Sequence, residues 1–136
     1  MSTKDRIGWV MIGLAVFLLA KGGGLPSIVV TPAPIDVPGL HVLIVEEKED
    51  RATVPAGQQS VLKSSLISQH VINEKKAEFR QYDDDPTITE EPWKSAMARP
   101  RNSLPWIIVS NPGKGGFEGP LPGSIDETLA LIGRFE

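Results

Sequence analysis

The chain has 136 residues, which is enough for one ordinary domain with a modest core. It has 14 Lys and Arg against 17 Asp and Glu, a formal net charge of −3, so its composition predicts no nucleic-acid partner. The absence of cysteine excludes disulfides, thiolate nucleophiles, zinc–thiolate sites and iron–sulfur ligation, and with them the lipidated cysteine of a bacterial lipoprotein.

The first feature along the chain is an apolar segment. Residues 7–20 are all apolar or glycine, with Lys4 and Arg6 before them and Lys21 after them. As a helix this segment is roughly 21 Å long, against a hydrocarbon core of roughly 30 Å. We predict an apolar helix that acts as an uncleaved transmembrane signal anchor over residues 1–21.

With the basic start held in the cytoplasm, this anchor predicts a single-pass membrane protein whose C-terminal domain is extracytoplasmic. Two other interpretations stay open. A cleaved signal peptide fits the basic start and the apolar length, although the residues before Lys21 make a poor cleavage site. A buried core helix fits less well, because the segment is apolar around its whole circumference.

Residues 22–39 are rich in glycine and proline, with prolines at positions 26, 32, 34 and 38. Proline lacks an N–H donor and fixes φ, so this stretch is predicted to be an extended, semi-rigid linker between the membrane and a domain over residues 40–136. The alternative is a lead-in segment that lies along the domain.

The first half of the domain predicts two strands separated by a helix. Residues 41–46 form an apolar, β-branched run suited to a strand buried on both faces. Pro55 suits a first helical position, and an apolar stripe continues to about residue 73. The stripe consists of Val61, Leu62, Leu66 and Val71. Residues 78–82 predict the second strand, ended by an acidic turn at 83–86.

The second half predicts a short helix, two strands and a final helix. Thr89 is a candidate cap for a helix from about Glu90 to before Pro100, with Trp93, Ala96 and Met97 on one face. Residues 103–110 predict the third strand, and a glycine-rich turn at 111–116 leads into a return strand from Phe117. Ser124 and Glu127 form a capping box, followed by a buried face of Ile125, Leu129, Ile132 and Phe135.

The predicted fold class is α/β, with the order β-α-β-α-β-β-α and a mixed four-stranded sheet covered by helices on both faces. This order resembles the thioredoxin fold over residues 40–136. The stretch Leu104-Pro105-Trp106 looks like the cis-proline that precedes the third strand of thioredoxins, and the hairpin and closing helix follow in that family's order. The chain is also loosely similar to small anchored domains of phage and bacterial genomes.

The sequence departs from thioredoxins where their chemistry lies. The family carries a C-x-x-C pair at the start of the first helix, and residues 51–58 of this chain hold no sulfur. Without a thiolate there is no attack on a disulfide, so thiol–disulfide oxidoreductase activity is excluded. We predict a non-catalytic module that binds a protein partner or assembles with itself, which includes a structural role in an envelope or virion assembly.

The resemblance also implies where a partner docks. In thioredoxins the start of the first helix lies beside the cis-proline, and partner chains bind along the backbone there. The candidate binding residues are Val54, Pro55, Trp93, Leu104, Pro105, Trp106 and Pro120. For the two tryptophans the alternative is a place in the core. The loop 119–123, which contains Pro120, is predicted to be rigid, apolar and exposed.

Other chemistry has little support in the sequence. Neither His41 nor His70 has a second metal-ligand residue at a suitable spacing, except that Glu74 follows His70 by four residues. Residues 83–85 lack the pattern of an EF-hand loop, and residues 113–116 lack that of a Walker loop. No metal and no cofactor are predicted. The alternative function is a cysteine-independent enzyme, or an enzyme-associated subunit, with a small-molecule pocket in which a histidine or these aspartates converge with other polar groups.

Overall fold

The computed structural model describes residues 32–84 and 87–136. The predicted anchor, the first part of the predicted linker and two residues of the acidic turn lie outside the described residues. The elements in chain order are β1 (His41–Glu46), a 3₁₀ helix (Lys48–Thr53), α1 (Ala56–Lys63), α2 (Leu66–Ser68), a π-helix (Gln69–Glu74), β2 (Glu78–Asp83), α3 (Trp93–Met97), β3 (Trp106–Asn111), β4 (Gly115–Pro120) and α4 (Ile125–Gly133).

The four strands form one mixed sheet in the order β2–β1–β3–β4. β1 pairs in parallel with β2, since the chain between them crosses over through α1 and the helical turns after it. β3 is antiparallel to β1, and β3 and β4 form the predicted hairpin. The α/β class and the mixed four-stranded sheet are therefore confirmed, and β1 is buried over its whole length as predicted.

Helices cover both faces of the sheet. Alternate side chains of the two central strands point to opposite sides, and both sets are apolar, so each face packs against helices. The cluster under α1, α2 and α4 takes from these strands Val42, Ile44, Ile107 and Val109. The cluster under α3 takes Leu43, Val45, Trp106 and Ile108. The domain therefore has a larger core on one face and a smaller one, built around α3, on the other.

The residues just before β1 lie against the sheet. Ile35 is buried; its N–H donates to Ser110 Oγ at 3.0 Å and the Ser110 hydroxyl donates to the Ile35 carbonyl at 2.9 Å. Pro34 lies so close to Gly116 that a Cβ there would be 2.3 Å from Pro34 Cδ. Residues 33–35 thus follow the alternative considered for this segment, a lead-in along the domain.

The helix predicted to run from Pro55 to about residue 73 is interrupted. Ser64 adopts extended backbone angles after α1, and its hydroxyl accepts a hydrogen bond from the Leu66 N–H at 3.0 Å, so a new helical turn begins. The interruption shifts the apolar stripe by one position. Leu66, predicted to be buried, is 52 % exposed, and Ile67 is buried in its place.

The helix predicted from Glu90 begins three residues later. α3 has no side-chain cap from Thr89, and residues 91–92 form a turn before it. The Glu91 carboxylate instead accepts a hydrogen bond from the Ser95 N–H at 3.1 Å. The predicted face is right, because Trp93 and Ala96 are buried and Met97 packs beside them.

The loop predicted to be exposed at 119–123 is partly buried. Gly119 belongs to β4, and Leu121 is only 2 % exposed because its side chain fills the core under α1 and α4. Its N–H donates to the Pro105 carbonyl at 3.0 Å. Only the proline at 120 and the glycine at 123 are exposed.

The Ser124 cap at the start of α4 is confirmed, since Ser124 Oγ accepts a hydrogen bond from the Glu127 N–H at 3.0 Å. The Glu127 carboxylate accepts its hydrogen bond from the Gly123 N–H at 3.1 Å, one residue before the N–H that a capping box uses. Ile132 and Phe135 are buried as predicted, while Ile125 and Leu129 are partly buried against the same core.

Candidate binding cleft

The C-terminal end of β1 meets the N-terminal end of β3, because the two strands are antiparallel and Val45 pairs with Trp106. The 3₁₀ helix leaves the sheet at this edge, and Leu104 and Pro105 lead into β3. Between these segments lies a cleft of about 300 Å³, which we call the β1 C-terminal cleft. It is lined by Glu46, Glu47, Asp50, Arg51, Thr53, Val54, Leu62, Leu104 and Pro105.

Three of the seven predicted binding residues meet in this cleft. Val54 comes from the segment before α1, and Leu104 and Pro105 come from the segment before β3. The bond between Leu104 and Pro105 is cis, as the resemblance implies. Pro55 occupies the N-cap position of α1 and is exposed beside Val54 without lining the cleft.

The other three predicted residues lie elsewhere. Trp93 and Trp106 are 2 % and 8 % exposed, in the core under α3. The Trp93 ring contacts His41, with ring centroids 5.6 Å apart, and the Arg80 guanidinium lies 5.0 Å from its centroid. Pro120 is exposed on the edge strand and pairs with Trp106. Both tryptophans thus follow the core alternative, and the Trp106 indole N–H has no hydrogen-bond partner among the described residues.

A buried ion pair closes one side of the cleft. The Glu46 side chain is 2 % exposed and receives hydrogen bonds from Arg51 at 2.8 and 2.5 Å and from the Gln81 amide at 2.8 Å. Burial by itself raises the pKa of Glu46, but the hydrogen bonds from Arg51 and Gln81 and the charge of Arg51 outweigh it, so the pKa lies below its ordinary value. The carboxylate is therefore ionised at neutral pH, and both of its oxygens accept hydrogen bonds.

The rim of the cleft is acidic. Among the described residues neither Glu47 nor Asp50 forms an ion pair, and the guanidinium of Arg51 is held by Glu46. Desolvation first, and then the charges of Asp83, Glu49 and Asp50, raise the pKa of Glu47. Glu47 thus lies near three other carboxylates, and this concentration of negative charge favours a cation at the rim.

The sequence analysis missed the Glu46–Arg51 pair. Glu46 entered only as the last residue of the first strand, and Arg51 only as the first residue of the stretch 51–58 that holds no sulfur. A signal was present, since a carboxylate at the end of a strand buried on both faces needs a partner, and an arginine follows five residues later.

A second cleft, of about 530 Å³, lies at the other end of β1. We call it the β1 N-terminal cleft. Its ionisable lining residues, of both signs, are His41, Lys75, Lys76, Glu78 and Glu136. Lys76 has a positive φ of 54°, which allows the chain to turn sharply from the π-helix into β2.

Glu136 in this lining gathers several partners. Its carboxylate bonds His70 Nε2 at 2.5 Å and Lys75 Nζ at 3.1 Å, and Lys114 donates to its backbone carbonyl. Burial by itself raises the pKa of Glu136. The hydrogen bonds from His70 and Lys75 and their charges lower it by more, so the pKa lies below the ordinary value. His70 also contacts Glu74 through Nδ1 at 3.3 Å.

The other candidates for chemistry do not form a site in the part of the chain that is described. Asp83 accepts a hydrogen bond from the Lys48 N–H, and Asp84 pairs with Arg101 at 2.7 Å. Residues 32–84 and 87–136 contain no group of three His, Cys, Asp or Glu side chains that could hold a metal. None of the helices within these ranges is long and apolar enough to cross a membrane.

Comparisons with known proteins identify no relative. No protein-family model matches the chain, and neither a curated protein nor a solved structure matches it significantly. The geometry and electrostatics of the described residues are therefore the basis of any functional assignment.

Proposed function

We propose that this chain is a membrane-anchored, redox-inactive thioredoxin-like module that binds another protein, or a second copy of itself, through the β1 C-terminal cleft. The observation that carries the proposal is the meeting of Val54, Leu104 and Pro105 in that cleft. These residues come from two segments that are 50 positions apart in the chain, and the resemblance to thioredoxins implied their docking role.

The thioredoxin-like part of the proposal rests on element order. Strand, helix, strand, helix, two strands and helix follow in the sequence predicted for this fold, and they build a mixed sheet with helices on both faces. The membrane anchor rests on residues 7–20 of the sequence alone. Redox inactivity rests on the absence of cysteine.

The chemistry of the cleft favours binding over catalysis. Its one deeply buried carboxylate, Glu46, is ionised and accepts three hydrogen bonds, so it has no proton to give and is held in an ion pair with Arg51. The remaining lining combines aliphatic side chains with acidic ones, which suits contact with another protein.

A site-specific crosslinker tests the proposal. A benzophenone amino acid replaces Thr53, which is exposed at the cleft, and in a control variant it replaces Ala130, which is exposed on α4. We expect irradiation of cells that express the full chain to give one discrete crosslinked species from position 53 and none from position 130. Equal crosslinking from both positions, or none from either, would contradict docking at this cleft.

The anchor is tested separately. Carbonate extraction of membranes should leave the full-length chain in the membrane fraction, and a C-terminal tag should resist protease until the outer barrier is opened. A full-length chain that is released by carbonate would show that residues 7–20 do not anchor it.

A second candidate function has one specific observation in its favour. The His70–Glu136 pair adjoins the larger, β1 N-terminal cleft, as expected if a cysteine-independent enzyme used a carboxylate-oriented histidine. Among the described residues no Ser or Thr hydroxyl bonds His70, so the nucleophile would be water. A hydrolytic activity that is lost in the His70→Gln variant and kept in Glu47→Gln would favour this candidate.

A further inference from the structure

We infer that the β1 C-terminal cleft takes a lysine or arginine side chain presented by a partner protein. This inference rests on the proposed function and adds to it the charge and the shape of the group that is bound. It follows from the way apolar and acidic groups are divided between the wall of the cleft and its rim.

The wall is aliphatic. Val54, Leu104 and Pro105 line it from two segments of the chain, together with Leu62 of α1. Val54 and Leu104 are partly buried, so each keeps some apolar surface in contact with solvent. The methylene stem of a lysine or arginine can cover such a surface while its charged end stays at the polar margin.

The rim carries negative charge that the domain leaves unbalanced. Glu47 and Asp50 line the cleft, and Glu49 and Asp83 lie close enough to Glu47 to raise its pKa. Arg51 is paired with Glu46 through Nε and Nη2, so its charge is balanced by that carboxylate. Lys48 is also nearby, since its charge lowers the pKa of Glu46 and its N–H donates to Asp83.

The combination of an aliphatic wall and an acidic rim disfavours other groups that a partner could insert into the cleft. An anionic or acidic segment would meet like charge at the rim, and a purely apolar segment would bury these carboxylates without a partner, which costs free energy. A lysine or arginine satisfies both halves of the cleft at once. Arginine adds a planar fork that can hydrogen-bond one carboxylate through two N–H groups.

The test uses the purified full-length chain and a library of short random peptides displayed on phage. Binders are resynthesised and their affinities are measured against three proteins. These are the wild type, the rim variant Glu47→Gln/Asp50→Asn, and the control variant Asp36→Asn/Asp126→Asn, which makes the same change of charge at exposed positions outside the cleft. The amide replacements keep the shape of each side chain, and a melting curve checks that every variant is folded.

We expect the selected peptides to be enriched in Lys or Arg. Their affinity should fall about three- to tenfold in the rim variant, since an exposed ion pair contributes modestly and two are removed, and should be unchanged in the control variant. Binding to the wild type should also weaken with added salt, and this salt dependence should be smaller in the rim variant.

Two outcomes separate this inference from the proposed function. In the first, the selected peptides lack basic residues and bind more weakly to the Leu104→Ala variant but not to the rim variant. That outcome would contradict the inference of a lysine or arginine side chain and would keep the cleft as a docking site. Peptides that are indifferent to both changes, or no binders at all, would contradict both. Self-association of the full chain that disappears in the rim variant would instead identify the occupant as a second copy.

Discussion

Each end of β1 has a carboxylate whose pKa is lowered, Glu46 at one end and Glu136 at the other, but the surroundings of the two groups differ. Glu46 at the C-terminal end is 2 % exposed and is bound by one arginine and one amide. Glu136, beside the N-terminal end, is 18 % exposed, and its carboxylate is bound by His70 and Lys75, which are themselves partly exposed.

The difference shows how the position of a charge decides its role. At the C-terminal end the ion pair is internal, so it holds the 3₁₀ helix to the sheet and leaves the rim charges free for a partner. At the N-terminal end the paired side chains are more exposed to solvent, which screens their attraction, so the pairs contribute little to stability. Three experiments on these ion pairs can break or sharpen this contrast, and a fourth tests the packing of the helix that follows the cleft.

The largest effect is expected from Arg51→Ala. Removing the guanidinium leaves the Glu46 carboxylate buried with only the Gln81 amide, and the free energy of unfolding should fall by about 3 kcal/mol. Chemical denaturation at neutral pH measures the change.

The double variant Arg51→Ala/Glu46→Met is the control for this experiment. Because it removes the buried charge as well, it should recover most of the lost stability. If the double variant were as unstable as the single one, the arginine would act through its packing rather than through the carboxylate.

The next effect is expected from Gly57→Ala in α1, the helix that follows the cleft. A Cβ at this position would lie 1.9 Å from the Gly123 carbonyl oxygen, so the helix and the loop before α4 would have to separate. We expect a loss of about 2 kcal/mol, as for other overpacked contacts.

Gly133→Ala is the matched control, since it makes the same change at the last residue of α4 with no atom within 4 Å of the new Cβ. It should leave stability unchanged or raise it by about 0.5 kcal/mol, because alanine loses less backbone entropy on folding than glycine. Equal losses in both variants would show that the Gly57–Gly123 approach is not the cause.

The sequence was sufficient for those parts of the fold that local patterns determine. An unbroken β-branched run predicted the doubly buried β1, and Ser124 with Glu127 predicted the cap of α4. The pattern failed where a side chain competes with the backbone: the Ser64 hydroxyl restarts the helix and moves burial from Leu66 to Ile67.

The cleft was predictable only in part, and for a related reason. Val54, Leu104 and Pro105 were implied by the resemblance to thioredoxins, which rests on the order of elements and on Leu104-Pro105-Trp106. The Glu46–Arg51 pair depends on the path of the 3₁₀ helix that carries Arg51 back to the sheet, and no periodicity in the sequence indicates that path. The tryptophans were candidates for binding with a place in the core as the alternative, and the smaller core under α3 contains both.

The contributions of Glu46 and Glu136 to stability can be compared by lowering the pH. The folded pKa of each lies below 4.5, its ordinary value, so the unfolded chain takes up the proton first. Each group therefore adds stability that is complete well above that pH and is lost as the pH falls through the folded pKa.

Glu46→Gln should make the unfolding free energy less dependent on pH between about pH 6 and about pH 3, and Glu136→Gln should do so to a smaller extent. Denaturant titrations across this range measure the slopes, which are independent of any loss that the variants suffer at neutral pH. A larger change of slope in Glu136→Gln would reverse the contrast between the two ends of β1.

The smallest effect is expected from Lys75→Ala. Lys75 is 41 % exposed where it pairs with Glu136, so water and salt screen the attraction and the flexible lysine loses entropy when it is held. Glu136 also keeps His70 after the change. The free energy of unfolding should fall by less than about 1 kcal/mol, and added salt should reduce the difference further. A loss as large as that of Arg51→Ala would mean that the pairs around Glu136 act together as a network, and the N-terminal end of β1 would then be held as firmly as the C-terminal end.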